Sequence, residues 1–580
     1  MAEDKEKQAD SEKDKNFDKS SSLEPTESHA LNDKVNSRIS SSGWKTLAIL
    51  GSSILITMYG ETMLLPAIPD IIKEFNISYS TSSWILTSYL IAGAVMTPIG
   101  GKLSDIYGRK KMVLIIMIIY IIGISLGGLA SDITFLIISR IIQGIGIAMF
   151  PIAFGIVRDQ FPPEKLAIGI GTFSAMFAAG SVVGLAIGGT IIQNFGWRVT
   201  FFSIIPVSFM LWFVIKKFIY DTQNRSPSLE FSSSVKPGTP ADADILEHNI
   251  QGSNEAPNSH TPNKKNSHDV KVVNVNNFTR SIDIKGAITL AITITSFLIV
   301  LSYMDTGMDT GISNNDIGSD QILGRDNATS YTAPPQIVVG FLSVGTISLT
   351  IFIITERKAK TPLVDFKLIA KRMILASNIL LLISFLSMFT VYQTIPFLVR
   401  SPAAVGGFGG DPIATANIQL PFMVVFLVFA PFSGFIISKL GKIKPTFIGS
   451  VIAAIGFFSI FIMHSTPALV AGTLAIIATG LSLIQVGAFN IVLESTPRHL
   501  SGTSLGTTVL LNLIGGAVGP AIAGIIMQTN QVTIAGSNVT AGSFPSPQSY
   551  YLIFLITSLL SLVSIILVII MKKTTPMKLA

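Results

Sequence analysis

The sequence predicts an all-α polytopic membrane protein, on three observations. Only 13% of its 580 residues are charged while 49% are hydrophobic, about half the ~25% charge of a soluble domain. Long stretches, Phe75 to Gly101, Leu166 to Trp197 and His499 to Met571, contain no Asp, Glu, Lys or Arg. A run of ~18 or more such residues crosses the ~30 Å hydrocarbon layer as a helix. Finally, the charge that remains is clustered, with 17 charged residues in 1–43 and 13 in 221–280.

In chain order, apolar runs broken by charge or turn residues give fourteen spans. The first six are expected at 45–67, 82–101, 112–130, 133–157, 167–193 and 199–219. Two more follow at 285–304 and 336–355, and the last six at 373–399, 418–438, 446–464, 467–493, 502–527 and 549–571. An even number puts both termini on one side. With the N-terminus inside, 36 Lys and Arg fall in cytoplasmic segments against four outside, Lys73, Arg198, Arg325 and Arg400. Discarding the long polar segments, which report orientation weakly, still leaves 25 to 4, so the positive-inside rule places both termini in the cytoplasm of a cell that carries the protein in its plasma membrane.

The polar segments 1–43 and 221–280 are too hydrophilic to repay the entropy of ordering and are expected to be disordered. The first also lacks the short apolar core of a cleavable signal peptide, which makes the first span the targeting signal. His248, His260 and His268 are spaced too irregularly for a metal site. Asn327 and Asn538 sit in N-x-T acceptor sequences of outer loops.

The net charge of +7 lies between apolar runs, which argues against nucleic acid. With no cysteine in the chain, disulfides, thiolate catalysis and Cys metal sites are excluded. Neither GxxxxGK[ST] nor HExxH occurs, so neither an ATP motor nor enzymatic chemistry is expected. The expected energy source is a proton gradient, with no cofactor and no metal.

Self-similarity supplies the architecture. Residues 156–171, IVRDQFPPEKLAIGIG, align without gaps on 491–506, IVLESTPRHLSGTSLG, at an offset of 335. Gly171, Gly180, Gly184 and Gly188 then pair with Gly506, Gly515, Gly519 and Ala523. GGKLSDIYGRKK after span 2 matches SGFIISKLGKIK after span 10 at an offset of 333. Six helices are thus repeated as six, with spans 7 and 8 inserted between them, the build of a secondary transporter with its substrate site between the halves.

These residues resemble the major facilitator superfamily, and within it the fourteen-helix drug:proton antiporters. Gly101-Lys-Leu-Ser-Asp105-Ile-Tyr-Gly108-Arg109-Lys110 looks like the loop signature, with Ile106 in place of the usual basic residue. Arg140-Ile-Ile-Gln143-Gly144-Ile-Gly146 resembles the helix 4 signature. The run from Gly171 through Gly180, Gly184 and Gly188 is similar to the antiporter signature of helix 5, with Leu185 where proline is usual. Glu61-Thr62 to Pro69 and Gly196-Trp197-Arg198 to Pro206 look like the fourteen-helix branch, with Leu65 for the usual Asn. The resemblance covers roughly residues 44–572. It implies an N-terminal half at 44–219, a linker at 220–283, the inserted pair at 284–372, a C-terminal half at 373–572 and a tail at 573–580.

Candidate sites follow. Asp105, Gly108 and Arg109 are read as a conformational latch at a helix end, where Gly100 and Gly101 allow close helix approach. The glycines of span 5 let backbones touch and the halves rock. Glu61 and Arg140 alone among the charged residues fall well inside spans, where each costs ~2.5–3.5 kcal/mol on insertion scales, and such residues are functional by default. Neither is repeated: Thr394 to Pro396 occupy the place of Glu61 in span 9, and Ala475 that of Arg140 in span 12. Glu61 is expected to carry the coupling proton, with Arg140 biasing its ionisation and Asp305 or Asp309 as the next candidates. By the family's architecture spans 1, 4, 9 and 12 line the cavity, which makes Tyr59, Gln143, Tyr392, Gln393, Gln485 and Asn490 candidate substrate contacts. The expected function is proton-coupled export of amphipathic organic compounds by a monomer in the lipid bilayer. The alternatives are uptake or facilitated passage of a sugar, organic acid or metal chelate, and a transporter-like membrane sensor.

Overall fold

A computed structural model of the chain describes residues 41–160, 166–219, 284–303, 335–359, 362–497, 501–534 and 542–574. His248, His260, His268, Asp305, Asp309, Asn327 and Asn538 lie outside the described residues, as do the segments 1–40 and 220–283.

The first span is α1, Ser41–Thr62, continued through a short turn at Leu65–Ala67 into α2, Ile68–Phe75. Next come α3 (Tyr79–Tyr107), α4 (Arg109–Gly128), the fourth span as α5 (Ile133–Gly144) and α6 (Met149–Gln160), then α7 (Leu166–Phe195) and α8 (Trp197–Phe218). The inserted pair is α9 (Ile284–Tyr303) and α10 (Pro335–Lys358). A short α11 (Phe366–Ile369) leads into the second half: α12 (Arg372–Arg400), α13 (Pro412–Leu440), α14 (Ile443–Ile462), α15 (Pro467–Ser495), α16 (Ser501–Thr529) and α17 (Pro547–Thr574). Among the described residues 13 spans are long and apolar enough to cross a membrane, and the apolar part of α9, Lys285–Leu301, is shorter. Asp70, Lys73 and Glu74 belong to the helical extension α2 rather than to the open loop that the apolar pattern suggests.

Local chemistry sets the ends. Ser78, Asp132, Asp411 and Thr466 each accept a hydrogen bond from the backbone N–H three residues on, satisfying a donor that the first helical turn leaves orphaned. At the sharp links α3–α4 and α13–α14, Gly108 and Gly441 have φ of 95° and 75°, a region that costs a side chain steric strain. The outer loop 528–548 contains a two-stranded antiparallel hairpin, β1 (Gln531–Ile534) on β2 (Gly542–Pro545).

Two helices join the halves. α7 packs against α1 of its own half and α13 of the other, and α16 packs against α12 of its own half and α3 of the other. The approach is backbone to backbone. A methyl on Gly188 would lie 2.7 Å from the Met63 carbonyl, one on Gly184 2.9 Å from that of Tyr59, and one on Gly519 2.6 Å from that of Leu386. Gly180 and Gly515 sit closer still against Leu55 and Leu382. The predicted small-residue faces of spans 5 and 13 are therefore packing surfaces.

This packing corrects one equivalence. Gly180 meets Leu55 as its repeat Gly515 meets Leu382, and Gly184 meets Tyr59 as Gly519 meets Leu386. Both pairs register α12 on α1 at an offset of 327, so Met388, and not Thr394 to Pro396, stands at the place of Glu61. The offset of 335 holds for spans 5 and 13 but slips at the first span of each half.

The inserted α9 and α10 pack on each other, with the Ser348 hydroxyl donating to the Thr289 carbonyl at 2.8 Å, and α9 rests against α3 and α16. Most of α10 is exposed apolar surface, including Val339, Ile347 and Ile354, as suits a helix facing hydrocarbon.

Candidate functional site

The site begins at the end of α1. Because α1 stops at Thr62, the carbonyls of its last turn have no partner within the helix and carry the negative end of its dipole. Three side chains from neighbouring helices donate to carbonyls in the C-terminal part of α1, of which Gly60 belongs to the last turn. Tyr120 of α4 donates its hydroxyl to the Ile56 carbonyl at 2.7 Å, Tyr89 of α3 donates to Thr57 at 3.1 Å, and Arg140 of α5 donates through Nη1 to Gly60 at 2.8 Å.

Arg140 is completely buried. Its Nε donates to the Ile85 carbonyl at 2.9 Å, Nη1 donates also to Gln143 Oε1 at 2.7 Å, and the guanidinium lies 4.6 Å from the Tyr89 ring centre. The cation is thus held by carbonyls, one amide and a ring. Glu61 stands one residue beyond the Gly60 carbonyl and, among the described residues, forms neither a hydrogen bond nor an ion pair. Glu61 and Arg140 form no ion pair in this conformation, and the two lie within electrostatic range, as the expected influence of Arg140 on Glu61 requires.

Glu61 faces cavities instead. The larger, about 540 Å³, lies between the halves and is walled by Ile54, Thr57 and Met58 of α1, five phenylalanines (Phe150, Phe177, Phe385, Phe389, Phe489) and the amides of Gln485 and Asn512. The smaller, about 260 Å³, is lined by Glu61, Thr62, Ser181, Met388, Tyr392 and Met423 among others. Glu61, Phe177 and Phe389 line both. A third cavity, bounded by Phe150, Phe154, Phe173 and Phe489, adjoins the larger one on the side of the bundle where α1 begins.

The opposite end is sealed. Arg400, the last residue of α12, makes a two-pronged ion pair with Asp70 of α2, at 2.5 and 3.0 Å, and donates to the Pro66 carbonyl at 3.2 Å. Beside it the Tyr79 ring packs edge-on against Phe397 with centres 5.2 Å apart, its backbone N–H donates to Gln528 Oε1 at 3.0 Å, and its hydroxyl donates to the Ser543 carbonyl in the β-hairpin at 2.8 Å. All of these contacts run between the halves. Within the first half, Glu74 is pinned by the Trp197 indole at 2.7 Å and by the Arg198 guanidinium at 2.6 Å, which fastens α2 to α8.

Of the six polar candidates, Gln485 lines the larger cavity and Tyr392 the smaller. Gln143 is an acceptor for Arg140, and Tyr59 is bonded to the Ser203 hydroxyl at 2.7 Å. Asn490 donates to the Val486 carbonyl of its own helix at 2.7 Å, and Gln393 is wholly buried away from both cavities. At the expected latch, the Asp105 side chain lies outside the described residues. Gly108 forms the α3–α4 turn, and the Arg109 guanidinium lies against Gly155 of α6, where an added methyl would come within 3.2 Å of it. Gly100 approaches Ala148 closely, whereas Gly101 has open space around it, against the expectation that both serve helix approach. The equivalent corner of the second half carries an ion pair, Lys442 with Glu494. Among the described residues no cluster of His, Asp and Glu can hold a metal.

Sequence reasoning missed Tyr89, Tyr120, Asn512 and the aromatic walls. One signal was available: Phe385, Phe389 and Tyr392 fall at helical spacing on one face of α12, and their rings continue as a ladder through Phe422 to Phe426 with centres 5.3–6.2 Å apart.

Comparison with known proteins fits this architecture. The profile of the Major Facilitator Superfamily matches residues 50–520. Multidrug transporter protein MdtP of Bacillus subtilis is 25% identical over 491 residues, covering 83% of this chain and 75% of that one. Multidrug resistance protein 3 of the same organism is 26% identical over 503 residues, covering 84% and 81%. The tetracenomycin C resistance and export protein of Streptomyces glaucescens is 22% identical over 487 residues, covering 83% and 76%. In fold, the human organic anion transporter MFSD10 superposes with a TM-score of 0.54 at 13% identity over 91% of this chain and 99% of that one. The xylose transporter XylE from E. coli, in a partially occluded inward-open conformation, gives 0.53 at 12% identity over 93% and 98%. Two repeated six-helix halves around a central cavity, a family profile over most of the chain and relatives named as drug transporters converge, and the chain belongs to the major facilitator superfamily as a multi-pass membrane transporter.

Proposed function

We propose that this transporter exports amphipathic organic compounds in exchange for protons, and that one carboxyl group, Glu61, takes proton and substrate by turns. The observation that carries the reading is the placement of Glu61: buried, free of hydrogen bonds and ion pairs among the described residues, and facing the cavity between the halves. A carboxylate so placed is costly to ionise unless a counter-charge arrives, and a protonated or cationic ligand supplies one. Arg140 stays locked to carbonyls, so its charge acts on Glu61 as a fixed field and leaves the carboxyl group available.

The aromatic walls supply apolar burial and the face of a π-system to an organic guest. Names of the relatives support drugs as the substrate class. The seal at Asp70–Arg400, on the end away from the N-terminal tail, supports loading from the tail side. With the tail in the cytoplasm, as the Lys and Arg distribution favours, that is the direction of export.

Reconstituted vesicles test the reading. Wild-type protein should build an uphill substrate gradient when a proton gradient is imposed, and Glu61→Gln, which keeps the shape but cannot ionise, should not. Uphill transport by Glu61→Gln at the wild-type rate would remove Glu61 from the coupling. Downhill movement in wild type, indifferent to the proton gradient, would favour facilitated passage, and no movement of substrate would favour a sensor.

A further inference from the structure

Glu61 borders two cavities of different character, and the hydroxyl groups around it differ in what they are doing. The titratable groups that face it are Tyr89 of α3, Tyr120 of α4, Arg140 of α5 and Tyr392 of α12. Tyr89, Tyr120 and Arg140 are committed to backbone carbonyls. Among the three phenols only the Tyr392 hydroxyl is buried with no hydrogen-bond partner, although Nη2 of Arg140 is unpartnered as well. Its position is fixed: the ring packs edge-on against Phe422 at 5.3 Å, and the backbone carbonyl accepts from Gln419 Nε2 at 3.1 Å.

The cavity that Tyr392 shares with Glu61, about 260 Å³, is roughly half the size of the larger one. It also contains the Thr62 and Ser181 hydroxyls, which donate to the Met58 carbonyl at 3.0 Å and to the Phe177 carbonyl at 3.3 Å and keep lone pairs for accepting. A water molecule needs two to four polar partners, and Glu61, Thr62, Ser181 and Tyr392 provide four. Phe177 and Phe389 line both this compartment and the larger, phenylalanine-lined one.

We propose that the two cavities divide the work: the larger takes the organic substrate, and the smaller is a water compartment in which the Tyr392 hydroxyl positions the water that exchanges a proton with Glu61. This rests on the reading of Glu61 as the proton-carrying group. When Glu61 unloads, its carboxyl O–H bond breaks, the proton passes to the water to give hydronium, and the bonding pair stays on the carboxylate. Loading is the reverse. Tyr392 keeps its own proton and acts as a positioning residue. It belongs to the second half and Glu61 to the first, so proton exchange depends on how the halves are closed at the Asp70–Arg400 end.

The test uses full-length protein in vesicles and the variant Tyr392→Phe, which keeps the ring and its packing and removes only the hydroxyl. Proton-driven uphill transport should fall by about tenfold or more and its pH profile should be displaced. Substrate affinity and substrate-for-substrate exchange, which need no net proton movement, should stay within about twofold of wild type, and this also reports a folded protein. A wild-type pH profile and uphill rate in Tyr392→Phe, with Glu61→Gln inactive, overturns the compartment and leaves the proposed function standing. Equal loss of exchange and driven transport also overturns it, because Tyr392 would then serve substrate or structure. If Glu61→Gln itself retains driven transport, the failure lies in the reading of Glu61.

Discussion

Arg140 is held at the negative end of α1 by a fork of donors that only a guanidinium presents. Arg140→Lys keeps the charge and loses at least one of the bonds to Gly60, Ile85 and Gln143. Within a bilayer such a bond is worth about 0.6–2 kcal/mol, so the variant should unfold a few degrees lower in a thermal melt of the purified protein, and driven transport should fall far more than stability. A normal transport rate in Arg140→Lys would show that charge without geometry suffices. Phe389 makes a different prediction, because it walls both cavities. Phe389→Ala should open one into the other and let protons leak when no substrate is present, read as dissipation of an imposed pH gradient. Glu61 and Arg140 were legible in the sequence because a charge inside an apolar run is conspicuous. Beyond the spacing of Phe385, Phe389 and Tyr392 on α12, the phenylalanine walls were not, since 36 phenylalanines occur throughout helices that are apolar on every side. Periodicity cannot then separate a cavity-facing ring from one that faces lipid.

Among the helices, contrasting glycines give the sharpest tests. Gly184→Val would drive a branched side chain into the α1 backbone at Tyr59, an overpacking that costs about 1–3 kcal/mol or more, and the yield of folded protein should drop. Gly101→Ala meets nothing within 4 Å and should be tolerated or slightly stabilising, because alanine favours a helix by about 1 kcal/mol over glycine. Loss of folded protein in Gly101→Ala would mean that another conformation closes on that face. At the latch, Asp105→Asn and Arg109→Ala should each slow transport with little loss of folded protein, and near-normal turnover in both would reduce the motif to ordinary surface charge. The glycine faces were legible because the internal repeat aligns Gly171, Gly180 and Gly184 with Gly506, Gly515 and Gly519 at a single offset. The register of α12 on α1 was not, because the sequence match lies in other spans and the first span of each half carries no motif that fixes the offset.

For the whole molecule, the absence of cysteine makes single-cysteine labelling free of background. Tags at residues 10, 250 and 578 should all be reached from the cytoplasm and one within 311–320 from outside, and opposite labelling of 250 and 578 would break the expected topology. A cysteine at Thr62 or Met388 should be protected from an impermeant reagent added outside, and Arg400→Ala, which removes the ion pair to Asp70, should expose it several-fold faster if that end opens by separation of the halves. The claim at the centre of this account is that proton and substrate compete for Glu61. The most direct measurement is proton release on adding substrate to purified protein in weakly buffered detergent solution, at a pH where Glu61 is protonated. Wild type should release a proton as substrate binds, and Glu61→Gln, which mimics the protonated carboxyl, should bind substrate more weakly and release none even when saturated. Undiminished release from Glu61→Gln, or binding by wild type with no release at any pH, would contradict it.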